Sequence, residues 1–138
     1  MREILRLLFS IFVLSEPVVA AEFPCPRRIE TKQSLLKAVP HWESFPDPNA
    51  VNILRSVSFY DGNPKEMAEL TPGFSDSNRD PVWTFMAARE GKAVDIWQVC
   101  HYQDSKIGLA MRLPQGIGSC IVKYSKKVSP QIDSISCK

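Results

Sequence analysis

The sequence predicts a mainly β domain: an antiparallel meander that closes as a curled sheet or small sandwich, with at most one or two short helical segments. Three observations predict it. The last third of the chain alternates apolar and polar residues with a period of two. Clusters of Gly, Pro, Asp and Ser punctuate those runs at turn-like intervals. An even set of four cysteines follows an export-type start, the pattern of a small disulfide-stapled domain.

The chain begins with Arg2 and Arg6, an apolar run over 7–14 and the small residues Val19 and Ala21 before Glu22. This is the grammar of a signal peptide over 1–21, with a single domain over 22–138 to follow. The run is far short of the roughly 20 apolar residues of a membrane span, and Glu16 and Pro17 interrupt it. A periplasmic or secreted protein with no membrane attachment after signal cleavage is therefore expected. A lipid anchor on Cys25 is not, because Glu22-Phe23-Pro24 lacks the small residues that precede a lipidated cysteine. The formal net charge of +2 gives no case for a nucleic-acid partner, and Lys123, Lys126 and Lys127 read as a solvated strand edge.

Pro24 and Pro26 hold the backbone extended around Cys25. Leu35 and Leu36, between Lys32 and Lys37, fit either a helical turn or an irregular edge strand. Pro40, Pro46 and Pro48 forbid regular structure around His41, Trp42 and Phe45, which sit in a loop. Residues 53–60 alternate as a half-buried strand, with Ile53, Arg55, Val57 and Phe59 on one face, ending at the turn Asp61-Gly62. Asn63, Pro64 and Glu66 have the capping chemistry of a short helix that Pro72 and Gly73 stop.

Residues 82–86 form a strand with Trp83 and Phe85 on one side. Residues 93–102 form a long strand carrying Val94, Ile96, Gln98, Cys100 and Tyr102 on one face, Trp97 and Val99 on the other. A tight connection over 103–106 leads to the return strand 107–113, and 114–118 forms the next turn. Cys120, Val122 and Tyr124 line a further strand, and Pro130 separates it from a last strand ending at Cys137. One sheet cannot cover both faces of 93–102, so a second layer is required.

Cys25, Cys100, Cys120 and Cys137 contain no CxxC pair, which speaks against a redox centre or a compact zinc site. Two structural disulfides are expected, with no metal and no cofactor. If 107–113 lies between the strands of Cys100 and Cys120, those two are about 9–10 Å apart, beyond disulfide reach. Cys120 with Cys137 and Cys25 with Cys100 then follow. A curled or reordered sheet would instead allow Cys100 with Cys120 and Cys25 with Cys137.

Catalytic constellations are sparse. Only His41 and His101 are available as histidine bases, and no GxSxG elbow presents a serine. Asp76, Asn78 and Asp80 resemble a calcium loop in spacing but lack its glycine and terminal glutamate. No catalytic residue is assigned, and a small hydrolase using His101 with Asp104 is the enzymatic alternative. The binding handle is aromatic. Trp42 and Phe45 on a proline-stiffened loop, with His41 beside them, form a candidate contact site, although they could equally close over the core edge. Of Phe59 and Tyr60 one faces inward, which leaves Tyr60 as a candidate rim residue.

The combination of Cys25-Pro26, Val57-Ser58-Phe59-Tyr60-Asp61-Gly62 with Pro64, Trp83, Trp97-x-x-Cys100-x-Tyr102, Leu109 through Leu113-Pro114, Cys120-x-Val122-x-Tyr124 and Ile135-x-Cys137 resembles a family of small exported Gram-negative proteins with no assigned function. The resemblance implies periplasmic residence and transfers no catalytic residue. The expected function is a non-catalytic protein-binding or inhibitor module with a periplasmic protein partner, in unknown oligomeric state. The other alternative is an envelope maintenance protein without a discrete active site.

Overall fold

The computed structural model describes residues 19–45, 51–74, 80–85, 88–89, 92–128 and 131–138. The expected export signal, apart from Val19, Ala20 and Ala21, lies outside them, as do Pro46, Pro48, Asp76, Asn78, Met86 and Pro130. The strands are β1 (Ala21–Glu22), β2 (Arg28–Glu30), β3 (Val51–Asp61), β4 (Gly73–Phe74), β5 (Pro81–Thr84), β6 (Ala88–Arg89), β7 (Lys92–Ala93), β8 (Ile96–Tyr102), β9 (Gly108–Arg112), β10 (Ser119–Tyr124) and β11 (Ile132–Cys137). The one helical piece among the described residues is a 3-10 turn, Pro64–Glu66, capped by Asn63, whose Oδ1 accepts from the Lys65 backbone N–H.

The mainly β, antiparallel fold is thus observed, in its sandwich form. One sheet has the order β1-β11-β10-β5-β4, the other β2-β3-β8-β9, and β6-β7 is a separate small hairpin. The last four strands are two hairpins, β8-β9 and β10-β11, that part company at the turn 114–118 and enter different sheets. The physical reason is the two-sided burial of β8. Its inner residues Ile96, Gln98, Cys100 and Tyr102 need a facing layer, and β10 and β5 supply it with Cys120, Val122 and Trp83. Phe59 lies at the centre of this core, with ring centroids 4.9 Å from Trp83 and 5.6 Å from Phe85.

Alternation in β3 changes phase partway along. Leu54 pairs with Tyr102 and Ser56 with His101, so Arg55 is an extra, unpaired residue. Before this bulge the buried positions are Asn52 and Leu54; after it the core-facing ones are Val57 and Phe59. Ile53 is consequently exposed rather than sharing the face of Val57 and Phe59. An unbroken period of two cannot reveal such an insertion.

Cys25 is bonded to Cys100 and Cys120 to Cys137, with Cα–Cα distances of 5.9 and 4.1 Å. The second is a cross-strand link between register partners. The flanking Ser119 and Lys138 exchange both backbone hydrogen bonds, so Cys120 and Cys137 occupy the adjoining non-hydrogen-bonded site, where side chains approach most closely. The first ties 23–26 to β8. Gln98 donates to the Phe23 carbonyl at 2.9 Å, Cys100 bonds Cys25, and the Tyr102 hydroxyl donates to the Pro26 carbonyl at 2.9 Å. Three consecutive inward positions of one strand therefore grip three residues of another segment, Phe23, Cys25 and Pro26. That segment runs from β1 in one sheet to β2 in the other.

Candidate functional site

Trp42 and Phe45 are among the most exposed large side chains of the protein, at 78% and 89% of full accessibility. They do not close over the core edge. Leu35, Leu36 and Val39 precede them and are exposed as well, so residues 35–45 present five large apolar side chains to solvent. Exposed large apolar residues scattered singly are ordinary, whereas five within eleven residues make this loop the candidate contact surface. Leu35 and Leu36 are visible in the sequence as apolar, but the amphipathic options open to them there both bury one side. The structure places neither in a helix or strand.

The loop is shaped from within. Trp42 donates its backbone N–H to the Val39 carbonyl at 3.1 Å, closing a turn with Pro40 and His41 at its centre. His41 has φ of 67°, the left-handed region, which is uncommon for a residue with a Cβ. Proline fixes the first corner and His41 takes the strained second one, so Trp42 leaves the turn in a set direction.

The loop is also anchored at its start. Thr31 bonds Asn52 Oδ1 at 2.6 Å, Asn52 donates to the Gln103 carbonyl at 2.9 Å, and Gln33 donates to the Asp104 carbonyl at 3.0 Å. The loop, which follows β2, is therefore tethered at its start to the β8-β9 connection.

Tyr60 does not join this surface. It is only 9% exposed, against the expectation of a rim position, because residues 68–70 run alongside β3 and cover it. Its hydroxyl donates to Glu69 Oε2 at 3.3 Å, and Tyr60 forms a bridge with Glu69. Phe59 is buried in the core, whereas Tyr60 lies on the opposite face of the strand, hydrogen-bonded to Glu69 and in register with Trp97.

His101 is half-buried on the outer face of β8, with Nε2 2.6 Å from the Ser58 hydroxyl. Asp104, in the exposed turn with φ of 56°, makes no hydrogen bond to it. Without an orienting carboxylate, the pair lacks the third member that a hydrolytic serine needs. Among the described residues no group of three His, Cys, Asp or Glu side chains converges as a metal site would require. Burial raises the pKa of Tyr102 and of Tyr124, both through loss of hydration of the phenolate.

A second exposed apolar feature is β9. Ile107, Leu109 and Met111 are all solvent-exposed, although Leu113 at the end of the same alternation is buried. The sequence expectation of an internal strand hides this, because it gives 107–113 a neighbour on each side.

The family model for the type VI secretion system Tli immunity protein matches residues 47–138, two thirds of the chain. No curated protein and no solved structure shows a significant match. The family match corrects the expectation of a family without assigned function: the motifs from Val57 to Cys137 sit within a defined immunity family. It also displaces the hydrolase and the envelope-maintenance alternatives. The chain belongs to the type VI secretion system Tli immunity protein family, as a periplasmic, non-catalytic protein-binding module.

Proposed function

We propose that this protein neutralises a protein toxin delivered by a type VI secretion system, and that it grips the toxin through residues 35–45. The observation that carries this is the exposure of Leu35, Leu36, Val39, Trp42 and Phe45 on one anchored loop. Large aromatic anchors of this kind dominate binding energy once desolvated against a partner, each commonly contributing about 2 kcal/mol or more. The loop ends just before the family-matched segment begins, which fits a shared scaffold carrying an individual recognition element. Residues 1–21 act as the export signal, and residues 22–138 form the mature domain. Cleavage there would shorten β1 to Glu22 while keeping the Phe23 backbone bond to Ile135 at 3.3 Å.

The test is a kin competition. A strain lacking this chain, attacked by its type VI-competent parent, should be rescued by the wild-type protein. The Trp42→Ala/Phe45→Ala double variant should fold normally and fail to rescue. Full rescue by the folded double variant removes the loop from the proposal.

A further inference from the structure

We propose that β9 is a docking edge, at which an extended segment of the toxin adds as a fifth strand to the sheet β2-β3-β8-β9; this rests on the immunity reading above.

The argument starts from the hydrogen-bond parity of the β8-β9 ladder. Register partners run without a bulge from Trp97 with Arg112 to His101 with Gly108. The Leu113 N–H points at the Ile96 carbonyl, 2.8 Å away. In an antiparallel ladder this direction alternates, so Met111 and Leu109 also address β8. The N–H and C=O groups of Gly108, Ala110 and Arg112 therefore point away from the sheet. No strand lies beyond them among the described residues.

The other sheet margins are managed differently. β1, β2 and β4 are two or three residues long. The outer side of β3 is covered by β2 and by backbone bonds from Leu70 to Phe59 and from Asp61 to Ala68. Natural sheets protect such margins with short strands, prolines, bulges or free charges. β9 has none of these over 108–111. Its one charge, Arg112, is held by Asp95, which also accepts from the Trp97 indole. Gly108 and Ala110 leave one face of the edge low, while Leu109 and Met111, 38% and 43% exposed, offer apolar contact on the other.

This chemistry defines the occupant. A row of paired donors and acceptors at every second residue is matched only by another extended backbone. The side chains ask for apolar residues on one face of the incoming strand. The segment 106–112 carries Lys106 and Arg112 and no acidic residue, so acidic residues flanking the incoming strand are favoured. The same charges disfavour a second copy. Antiparallel self-pairing about Ala110 would set each Arg112 opposite Gly108 and roughly 7–8 Å diagonally from Lys106 of the other chain. Continuity favours the toxin further, since the recognition loop is tied through Gln33 to the turn from which β9 departs.

The experiment uses the same kin competition, with the toxin supplied by the attacking parent. Proline is tolerated on an edge strand where the N–H faces outward, so Ala110→Pro should keep the fold while removing the central donor. Its protection should fall at least tenfold, whereas Ala110→Thr, which keeps the N–H, should protect within about twofold of wild type. Met111→Lys, a gatekeeper charge beside the edge, should also lose protection and decides the matter if Ala110→Pro fails to fold. Wild-type protection by a folded Ala110→Pro, or by Met111→Lys, overturns the docking edge while leaving the immunity reading standing. A wild-type dimer in sedimentation that Ala110→Pro dissolves assigns the edge to a second copy and overturns it too. Failure of the wild-type protein to protect at all overturns both.

Discussion

The Ser58 hydroxyl and His101 Nε2 lie 2.6 Å apart across β3 and β8, although Ser58 is the register partner of Val99 and His101 that of Ser56. The bond is diagonal, and it staples the outer face just beyond the Arg55 bulge. A role in holding the strands together predicts that Ser58→Ala and His101→Ala each lose about 1 kcal/mol, a melting shift of roughly 3–6 °C. The double variant should lose little more than either single one, since both remove the same bond. Thermal unfolding of the three variants checks this; additive losses would show that the two groups are not coupled. Protection against type VI attack should be unchanged in all three.

The two disulfides should differ in worth because they close loops of different length. With sequence separations of 75 and 17, chain-entropy arguments give about 4.5 kcal/mol for Cys25–Cys100 and about 3 kcal/mol for Cys120–Cys137. Replacing each pair by alanines and measuring urea midpoints should rank them in that order. The Cys25/Cys100 variant also removes the middle of the three contacts that grip residues 23–26.

Gly62 has φ of 94° at the end of β3, where its N–H donates to the Asp95 carbonyl at 2.7 Å. Alanine there must adopt a left-handed backbone and would bring its Cβ 3.0 Å from Glu66 Oε2. Gly62→Ala should therefore lose about 1–2 kcal/mol. Gly118, whose added Cβ would meet only the Lys138 carbonyl at 3.7 Å, serves as the contrast: Gly118→Ala should stay within about 0.5 kcal/mol of wild type. Chemical denaturation of both variants measures the difference.

Tyr102 is buried, donates to the Pro26 carbonyl, and has its pKa raised by desolvation. The unfolded phenol ionises near pH 10, so this group's contribution to stability is complete below that pH. It is lost as pH rises through the higher folded value, where unfolding releases the proton more readily. Melting temperatures between pH 8 and 11.5 should decline less steeply for Tyr102→Phe than for wild type. Tyr124, shifted the same way, leaves part of the decline in place. Equal slopes would count against the buried phenol.

Much of the fold is legible in the chain because strands announce themselves locally. The inward series Ile96, Gln98, Cys100 and Tyr102 is read correctly from alternation alone, as are Trp83 and Phe85 and the Asn63 cap. The phase change at Arg55 is not legible, because a bulge depends on the partner strand. The burial of Tyr60 is hidden for a similar reason: residues 68–70 cover it, and nothing near Tyr60 in sequence says so.

The proposed recognition loop is half legible. Prolines and aromatics at 40–45 mark it as an irregular candidate contact segment, and Leu35, Leu36 and Val39 join it only once the structure shows them exposed. The β class, the aromatic loop and the suitability for two disulfides are written in the chain, because they follow from local periodicity and residue chemistry. That β9 and β10 belong to different sheets emerges from the packing of the two layers. A residue's own pattern fixes which face it prefers, whereas the choice of neighbouring strand depends on how two distant layers fill one core, and that choice leaves β9 at an edge.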